Sequence, residues 1–490
     1  MLTLTVFSVA TRCLGFIYKI YLTKIMTTTE LGIYNITLSV FMVMLTIVGS
    51  SIPLTISKIT AKNKALSKNN NTSYSVTSAT IFNILIGVIL CGITIISSPL
   101  INLMIGDSIG NTIIISLLPS IIFTAIYSGL KGYMWGLENY FAVSIVELIE
   151  QVIKIALCVI FVYFKVFKNP IIAVAQAMNI SCGISTLIGI YFYLKNHGRF
   201  KYKNGYFKEI IYSSAPLTCV RVFSSLLTPL ISIIIPLRLV STIVTRSEIL
   251  SELGILMGMT MPLLSIPSTI IGALCMILIP KIQGENPEKM NGGINYYMLF
   301  TISCIFLFIP IFVVLGEPVC TYIYSNSMAG IYLSHEAWVM LPIGLAQITT
   351  SILNALSLET RTFLYFLISN ITMLLFTLIF TPLFGSEIIV IGIGLSAIIT
   401  TILNTIKIQK SLKIKTKICS LVFTHALVSL PIILITKYTY NILISLTIPL
   451  LSIIIASIIS VASYIGLLFV FDILNFRTIK VYLFKSRKHV

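Results

Sequence analysis

The chain has 490 residues, of which 57% are hydrophobic and only 10% carry a charged side chain. Soluble domains contain about 25% charged residues, so a soluble protein of this length is excluded. The net charge of +18 would suggest nucleic-acid binding in a soluble protein, but in so apolar a chain it bears on membrane topology, and we expect no nucleic-acid partner.

A helix that crosses the bilayer needs about 20 mainly apolar residues. Along the chain, runs of this kind predict fourteen spans, at 4–23, 33–57, 76–98, 112–130, 140–164, 170–194, 210–237, 253–280, 294–315, 337–357, 362–383, 388–406, 418–436 and 447–472. The sequence therefore predicts an all-α polytopic membrane protein with about fourteen transmembrane helices.

Lys and Arg are distributed unequally between the segments that join these spans. With the N-terminus placed in the cytoplasm, the cytoplasmic segments hold 23 of these residues and the opposite segments hold 6. Cytoplasmic loops of membrane proteins carry such an excess. The sequence therefore predicts a multi-pass protein of the cell (inner, cytoplasmic) membrane with both termini in the cytoplasm.

Two strongly basic loops, at 195–208 and 407–417, each follow a block of six predicted spans. Between the blocks, Leu118-Pro119 has a counterpart in Leu341-Pro342. An even number of helices per block gives parallel repeats, related by an axis along the membrane normal. We therefore predict two pseudo-symmetric six-helix bundles, followed by two additional transmembrane helices and a basic cytoplasmic tail, with domains at 1–208, 209–417 and 418–490.

Apart from Asp472 at the end of the last span, the charged residues inside the predicted spans occur in the first, fifth and seventh spans: Arg12, Lys19, Glu147, Glu150, Lys154 and Arg221. Each costs about 2.5–3.5 kcal/mol on the insertion scale if it lies at the centre of the membrane. Such residues avoid lipid, and we expect them to line a cavity or a polar interface between helices.

Arg12 and Lys19 are seven residues apart, and this spacing places them on one face of the first span. We interpret them as a cationic strip in a water-filled cavity, suited to an anionic headgroup. The alternative is that the two side chains extend toward opposite membrane surfaces. Arg221 lies well inside the seventh span, and we predict that these three residues bind substrate in one cavity.

Glu147, Glu150, Gln151 and Lys154 share one face of the fifth span. The spacing of Glu150 and Lys154 favours an ion pair, which we predict. The face is either a structural polar seam or a coupling site for Na⁺ or H⁺, because a desolvated carboxylate can titrate in a useful range. We predict no cofactor and no metal site, and we expect a coupling ion or the membrane potential to supply the energy.

No HExxH, GxSxG, Walker A or DxD motif occurs in the sequence, and the longest predicted outer loop, near 316–336, is too short for a catalytic domain. We therefore predict a transporter and not an enzyme. A polytopic glycosyltransferase or polymerase is the less favoured alternative, and the outer segments offer it these acidic residues: Asp107, Glu248, Glu317, Glu336 and Glu387.

Several segments occur in the same order as in the lipid flippases of the multidrug/oligosaccharidyl-lipid/polysaccharide exporter superfamily. Over residues 1–285 the chain resembles that superfamily, and most closely its stage V sporulation protein B and polysaccharide-biosynthesis group, which is related to lipid II flippases. The matching segments are Arg12–Lys19, Leu31–Tyr34, Ile52-Pro53 with Ser57-Lys58, Gly132-Tyr133 with Gly136-Leu137, Glu147–Gln151, Ala215–Thr218 leading into Arg221, and Gly258–Pro267.

The resemblance implies two six-helix lobes around a cavity that opens alternately to the two sides of the membrane. It also implies export of an undecaprenyl-linked saccharide, such as a peptidoglycan precursor for the spore cortex. A multidrug or cation antiporter of the same superfamily is the alternative, which would need a net acidic cavity. The lipid II flippases carry further cavity arginines on their second and eighth helices; here the second span has none before Lys58, and the eighth reads Gly258-Met-Thr-Met261.

Overall fold

The computed structural model describes residues 2–66, 69–99, 102, 108–203, 205–239, 245–283, 287–414 and 416–473, and most of them are helical. By its packing contacts the chain divides into two compact units, Met1–Gly254 and Ile255–Val490. The all-α fold predicted from the hydrophobic runs is confirmed.

Unit 1 is built from the helices of the N-terminal half. These are α1 (Leu2–Ile25), α2 (Thr28–Gly49), α3 (Ile52–Ala65), α4 (Asn69–Ile96), α5 (Ser108–Gly136), α6 (Tyr140–Tyr163), α7 (Pro170–Lys195), α8 (Tyr206–Leu239) and α9 (Arg246–Ile255).

Unit 2 contains a π-helical turn near its start, at Leu256–Thr260, and 3₁₀ turns at Ala337–Val339 and Gly385–Glu387. Its helices are α10 (Met261–Leu264), α11 (Ile266–Gln283), α12 (Pro287–Tyr324), α13 (Ser327–Glu336), α14 (Met340–Ala355), α15 (Glu359–Phe384), α16 (Ile388–Leu412), α17 (Ile418–Leu446) and α18 (Pro449–Val470).

Every predicted span coincides with one or more helices. Eleven helical segments of the described residues are long and apolar enough to cross a membrane, and one of them, Glu359–Leu412, contains both α15 and α16. The helices α1 and α6 are not among the eleven, and α6 carries three charged residues. The chain is a multi-pass membrane protein, and the number of fourteen spans stays a prediction.

The boundary between the two units does not coincide with either of the basic loops. The seventh predicted span is α8, which packs against α2, α3 and α4 inside unit 1. The division after Gly254 therefore differs from the predicted boundary at residue 208, because the units reflect packing whereas the basic loops mark blocks in chain order. In unit 2, α17 and α18 both pack on α12. The three-part organisation stays a prediction.

The second predicted span is interrupted between α2 and α3. Pro53 has no N–H, so it cannot donate to the main-chain carbonyl of Gly49 and continue the helix. α3 begins at Ile52 with Pro53 in its first turn, and Thr55 N–H donates to Ser51 O over 3.0 Å. The interruption lets a donor from another helix reach the carbonyl of Ser50.

Glycines bring α3 and α5 into close contact. A Cβ on Gly132 would lie 2.6 Å from Pro53 O, and a Cβ on Gly136 would lie 2.4 Å from Thr60 Cβ. Only a residue without a side chain allows this approach. The Gly132 and Gly136 segment, which carried part of the family resemblance, therefore has a packing role.

Candidate functional site

Two of the predicted polar clusters lie on neighbouring helices, because α1 packs against α6. Tyr18 of α1 is 6% exposed, and Lys154 Nζ stands 5.4 Å from the centroid of its ring. This distance allows a cation–π interaction. Gln151 is buried, and its Nε2 lies 3.6 Å from the position of a Cβ on Gly15. The interface of α1 and α6 therefore joins the two clusters.

Arg12 and Lys19 are both exposed on α1. Within the described residues, neither has an acidic partner closer than 4.0 Å. Each charge is therefore free to meet an anionic ligand or a lipid headgroup. That the two residues line a cavity with Arg221 stays a prediction.

Glu147 pairs with a residue that the sequence interpretation did not assign to the site. Lys131 Nζ of α5 lies 2.5 Å from Glu147 Oε1, and the two side chains are 24% and 43% exposed. Lys131 also stands 4.7 Å from the ring centroid of Trp135. No local spacing predicts this pair, since its partners lie on two helices joined by a turn.

The predicted ion pair between Glu150 and Lys154 is not formed. Among the described residues, the pair of Lys131 with Glu147 is the one ion pair closer than 4.0 Å. Glu150 Oε1 instead accepts a hydrogen bond from Cys182 Sγ of α7 over 3.6 Å. The i, i+4 argument fails here because α1 and α7 offer the two side chains competing partners.

Arg221 has a main-chain partner at the interruption between α2 and α3. Its Nη1 donates to Ser50 O over 2.7 Å, and the guanidinium is half-buried. The hydroxyls of Ser51 and Thr218 are in contact beside it. A positive charge at the carbonyl end of α2 also complements the helix dipole. Arg221 therefore stabilises the backbone between α2 and α3. Its position in the sequence did not predict this role.

The helices α2 and α9 approach each other at two glycines. A Cβ on Gly32 would lie 1.9 Å from Leu250 O, and a Cβ on Gly254 would lie 2.0 Å from Thr28 O. Ser251 Oγ donates to Thr28 Oγ1 over 2.7 Å at the same contact. The predicted topology places the start of α2 and the start of α9 on the outer side of the membrane. This close contact therefore packs the two helices together at the outer end of unit 1.

A profile of the polysaccharide biosynthesis protein family matches residues 1–284, which is more than half of the chain. The chain belongs to this family. The match covers the same segment in which the ordered motifs occur, so the resemblance predicted from them is confirmed. Stage V sporulation protein B of Bacillus subtilis (strain 168) is 24% identical over 438 residues, 85% of this chain and 84% of that protein.

Solved structures of transporters share the fold. The lipid II flippase MurJ in an inward closed conformation has a TM-score of 0.74 at 15% identity, covering 96% of this chain and 100% of MurJ. An inward-facing multidrug resistance transporter of the MATE family has a TM-score of 0.64 at 14% identity, covering 82% and 94%. The family member described here therefore has the fold of this transporter superfamily.

Proposed function

We propose that this protein is a flippase that moves an undecaprenyl-linked saccharide across the cell membrane by alternating access. The family, the relative from sporulation and the fold shared with a lipid II flippase support this proposal. A peptidoglycan precursor of the spore cortex is the substrate we favour. The lipid-linked saccharide and the bilayer are its partners, and the activity is transport rather than catalysis.

The observation that carries the proposal is the exposed cationic face of α1. Arg12 and Lys19 lack acidic partners among the described residues, and a lipid-linked saccharide carries an anionic pyrophosphate. Opposite charge offsets the cost of moving that group through an apolar environment. Arg binds phosphate oxygens in pairs through its planar fork. In this proposal Arg12 and Lys19 hold the pyrophosphate, while Arg221 positions the wall of the cavity.

The polar face of α6 has a different role. Glu147 is paired with Lys131, and Lys154 faces the ring of Tyr18. Glu150 remains the acid available for a coupling Na⁺ or H⁺, since its carboxylate meets a thiol rather than a cation. We propose that Glu147, Gln151 and Lys154 form a structural seam and that Glu150 is the residue to test for coupling.

The likeness to a MATE family transporter favours one other function, the antiport of cationic drugs. Reconstitution into proteoliposomes separates the two. We expect translocation of undecaprenyl-pyrophosphate-linked sugars, measured by access of an external enzyme to the sugar, and no uptake of a fluorescent cation. Uptake of the cation without sugar translocation would select the antiporter instead.

A further inference from the structure

The basic loop that follows α7 lies against the first turns of α4. The main-chain N–H of Lys201 donates to Thr77 Oγ1 over 3.1 Å. Lys203 Nζ lies 5.9 Å from the ring centroid of Tyr74, about one turn earlier on the same helix. Gly205 has a φ of +105°, a conformation that favours glycine, and it turns the chain into α8. Both lysines are therefore held at the end of α4 that the predicted topology places in the cytoplasm.

An apolar groove lies next to these lysines. It has a volume of about 520 Å³ and is lined by Ile81, Leu85, Tyr202, Gly205 and Phe207. The Phe207 ring packs edge-on against Phe82, with 5.3 Å between the ring centroids. Ile81 and Leu85 follow Tyr74 by seven and eleven residues, so they lie about 10 and 16 Å further along α4. The groove therefore runs from the lysines toward the apolar interior of the membrane.

The charge of the two lysines is available to a ligand. Among the described side chains, no carboxylate lies within 4.0 Å of either ammonium group. Lys195 and Arg199 are exposed in the same loop and add to its positive charge. Beside Lys203, the rings of Tyr74 and Tyr206 are in contact, with 5.6 Å between their centroids. Tyrosines are enriched at the level of the lipid headgroups, so the lysines stand where phosphate groups of the bilayer lie.

We propose that this groove binds an anionic diacyl phospholipid, with its phosphate beside Lys201 and Lys203 and one acyl chain along Ile81 and Leu85. Clusters of basic residues next to a membrane span attract anionic lipids, and lysine binds phosphate as a point charge. A zwitterionic phospholipid fits the same groove but gains less, because its headgroup carries a cation of its own. The bilayer supplies phospholipid in large excess over any lipid-linked saccharide, and mass action therefore favours phospholipid as the occupant.

The bound lipid would stabilise unit 1. It would contact α4, the basic loop and the start of α8 at the same time, and a ligand that binds only the folded state raises the free energy of unfolding. The inference does not depend on which substrate is transported.

Quenching by brominated lipid measures which lipid occupies the groove. Replacing the two tryptophans, Trp135 and Trp338, by Phe and Leu85 by Trp leaves one fluorophore, which lies in the groove. The full-length protein is reconstituted in phosphatidylcholine with rising fractions of brominated phosphatidylglycerol or brominated phosphatidylcholine. We expect half-maximal quenching at an at least threefold lower fraction of the phosphatidylglycerol. With the reporter at Ile93→Trp instead, exposed near the other end of α4, the two lipids should quench alike.

Removal of the two lysines tests the headgroup contact. Lys201→Gln with Lys203→Gln should abolish the preference for phosphatidylglycerol, and Lys203→Gln alone should already reduce it. The main-chain N–H that binds Thr77 remains in both variants, so the loop should keep its position. Lys410→Gln with Lys413→Gln is the matched control. It removes the same charge from exposed positions of the other basic loop and should leave the threefold preference unchanged.

Thermal unfolding in detergent provides a second measurement. Without added lipid, the double variant at Lys201 and Lys203 should melt like the unsubstituted protein. Phosphatidylglycerol should raise the melting temperature above its value in phosphatidylcholine for the unsubstituted protein alone. The proposal is overturned if the reporter in the groove shows no preference, if the preference persists without the two lysines, or if the control pair removes it equally. Displacement of phosphatidylglycerol by an equal fraction of undecaprenyl pyrophosphate would assign the groove to the transported lipid and overturn it as well.

Discussion

The guanidinium of Arg221 donates a hydrogen bond from Nη1 to the main-chain carbonyl of Ser50 over 2.7 Å. This bond links α8 to the point where Pro53 prevents α2 from continuing into α3. Arg221, which was predicted to bind substrate, therefore also contributes to the packing of unit 1. The two roles are compatible, because a guanidinium has five N–H donors and Ser50 O uses one.

Arg221→Gln should reduce stability as well as transport. The change removes a hydrogen bond from a charged donor and leaves the half-buried Ser50 carbonyl without it, at a cost of about 1.5–3 kcal/mol. Thermal unfolding in detergent measures the loss. Lys208→Gln, exposed on the same helix, is the control and should melt like the unsubstituted protein. An unchanged melting temperature in Arg221→Gln would show that the bond to Ser50 contributes nothing.

Sequence patterns predicted the helices that form this site better than they predicted which side chains contact each other within it. Hydrophobic runs located the helices because burial in lipid acts on each segment separately. The pairing of Lys131 with Glu147 was missed because it depends on how α5 and α6 pack, and because Lys131 lies just outside the predicted span 112–130. The i, i+4 spacing of Glu150 and Lys154 is real, yet Cys182 and Tyr18 are the partners in the fold. The i, i+4 spacing considers one helix alone, so it does not take account of contacts with side chains of other helices.

Double-mutant cycles distinguish the ion pair of Lys131 with Glu147 from the unpaired neighbours Glu150 and Lys154. Lys131→Met and Glu147→Gln should show a coupling energy of about 0.2–1 kcal/mol, the range for a partly exposed pair. The effects of Glu150→Gln and Lys154→Met on the free energy of unfolding should be additive, because no ion pair joins the two side chains at close range. The free energy of unfolding in detergent is the measurement. Coupling confined to Glu150 and Lys154 would contradict the structure.

Gly32→Ala and Gly254→Ala should each disrupt the contact between α2 and α9. Their new Cβ atoms would meet main-chain oxygens at 1.9 and 2.0 Å, and such overpacking costs about 1–3 kcal/mol. Gly92→Ala in α4 is the matched control, since a Cβ there meets nothing within 4 Å. Disulfide formation between Thr28→Cys and Ser251→Cys reports the contact. It should form readily with the native glycines and poorly with either alanine.

The orientation of the chain is tested by accessibility tags. Tags at residue 203, at residue 412 and at the C-terminus should report the cytoplasm, and a tag at residue 325 should report the outside. The reason is the unequal distribution of Lys and Arg between the two sets of loops. An outside report at residue 203 would contradict the assignment of the first six spans.

Arg12 provides the sharpest test of the proposed function. Arg12→Lys keeps the charge but loses the planar fork that binds phosphate oxygens in pairs, so it should slow sugar translocation, and Arg12→Ala should slow it further. Amounts of folded protein should stay near normal in both, because Arg12 is exposed without an acidic partner among the described residues. Lys24→Ala, exposed at the end of α1, is the matched control and should transport normally.

Protection of an engineered cysteine then shows whether Arg12 meets the substrate. In a background without the exposed Cys13, Cys219 and Cys419, Arg12→Cys should react with a hydrophilic thiol reagent, because a cavity position is reached by water. A lipid-linked sugar should slow that reaction, whereas the same lipid without its pyrophosphate sugar should not. Full transport by Arg12→Ala, or a cysteine that only a lipid-soluble reagent reaches, would place Arg12 against lipid and remove it from the substrate path.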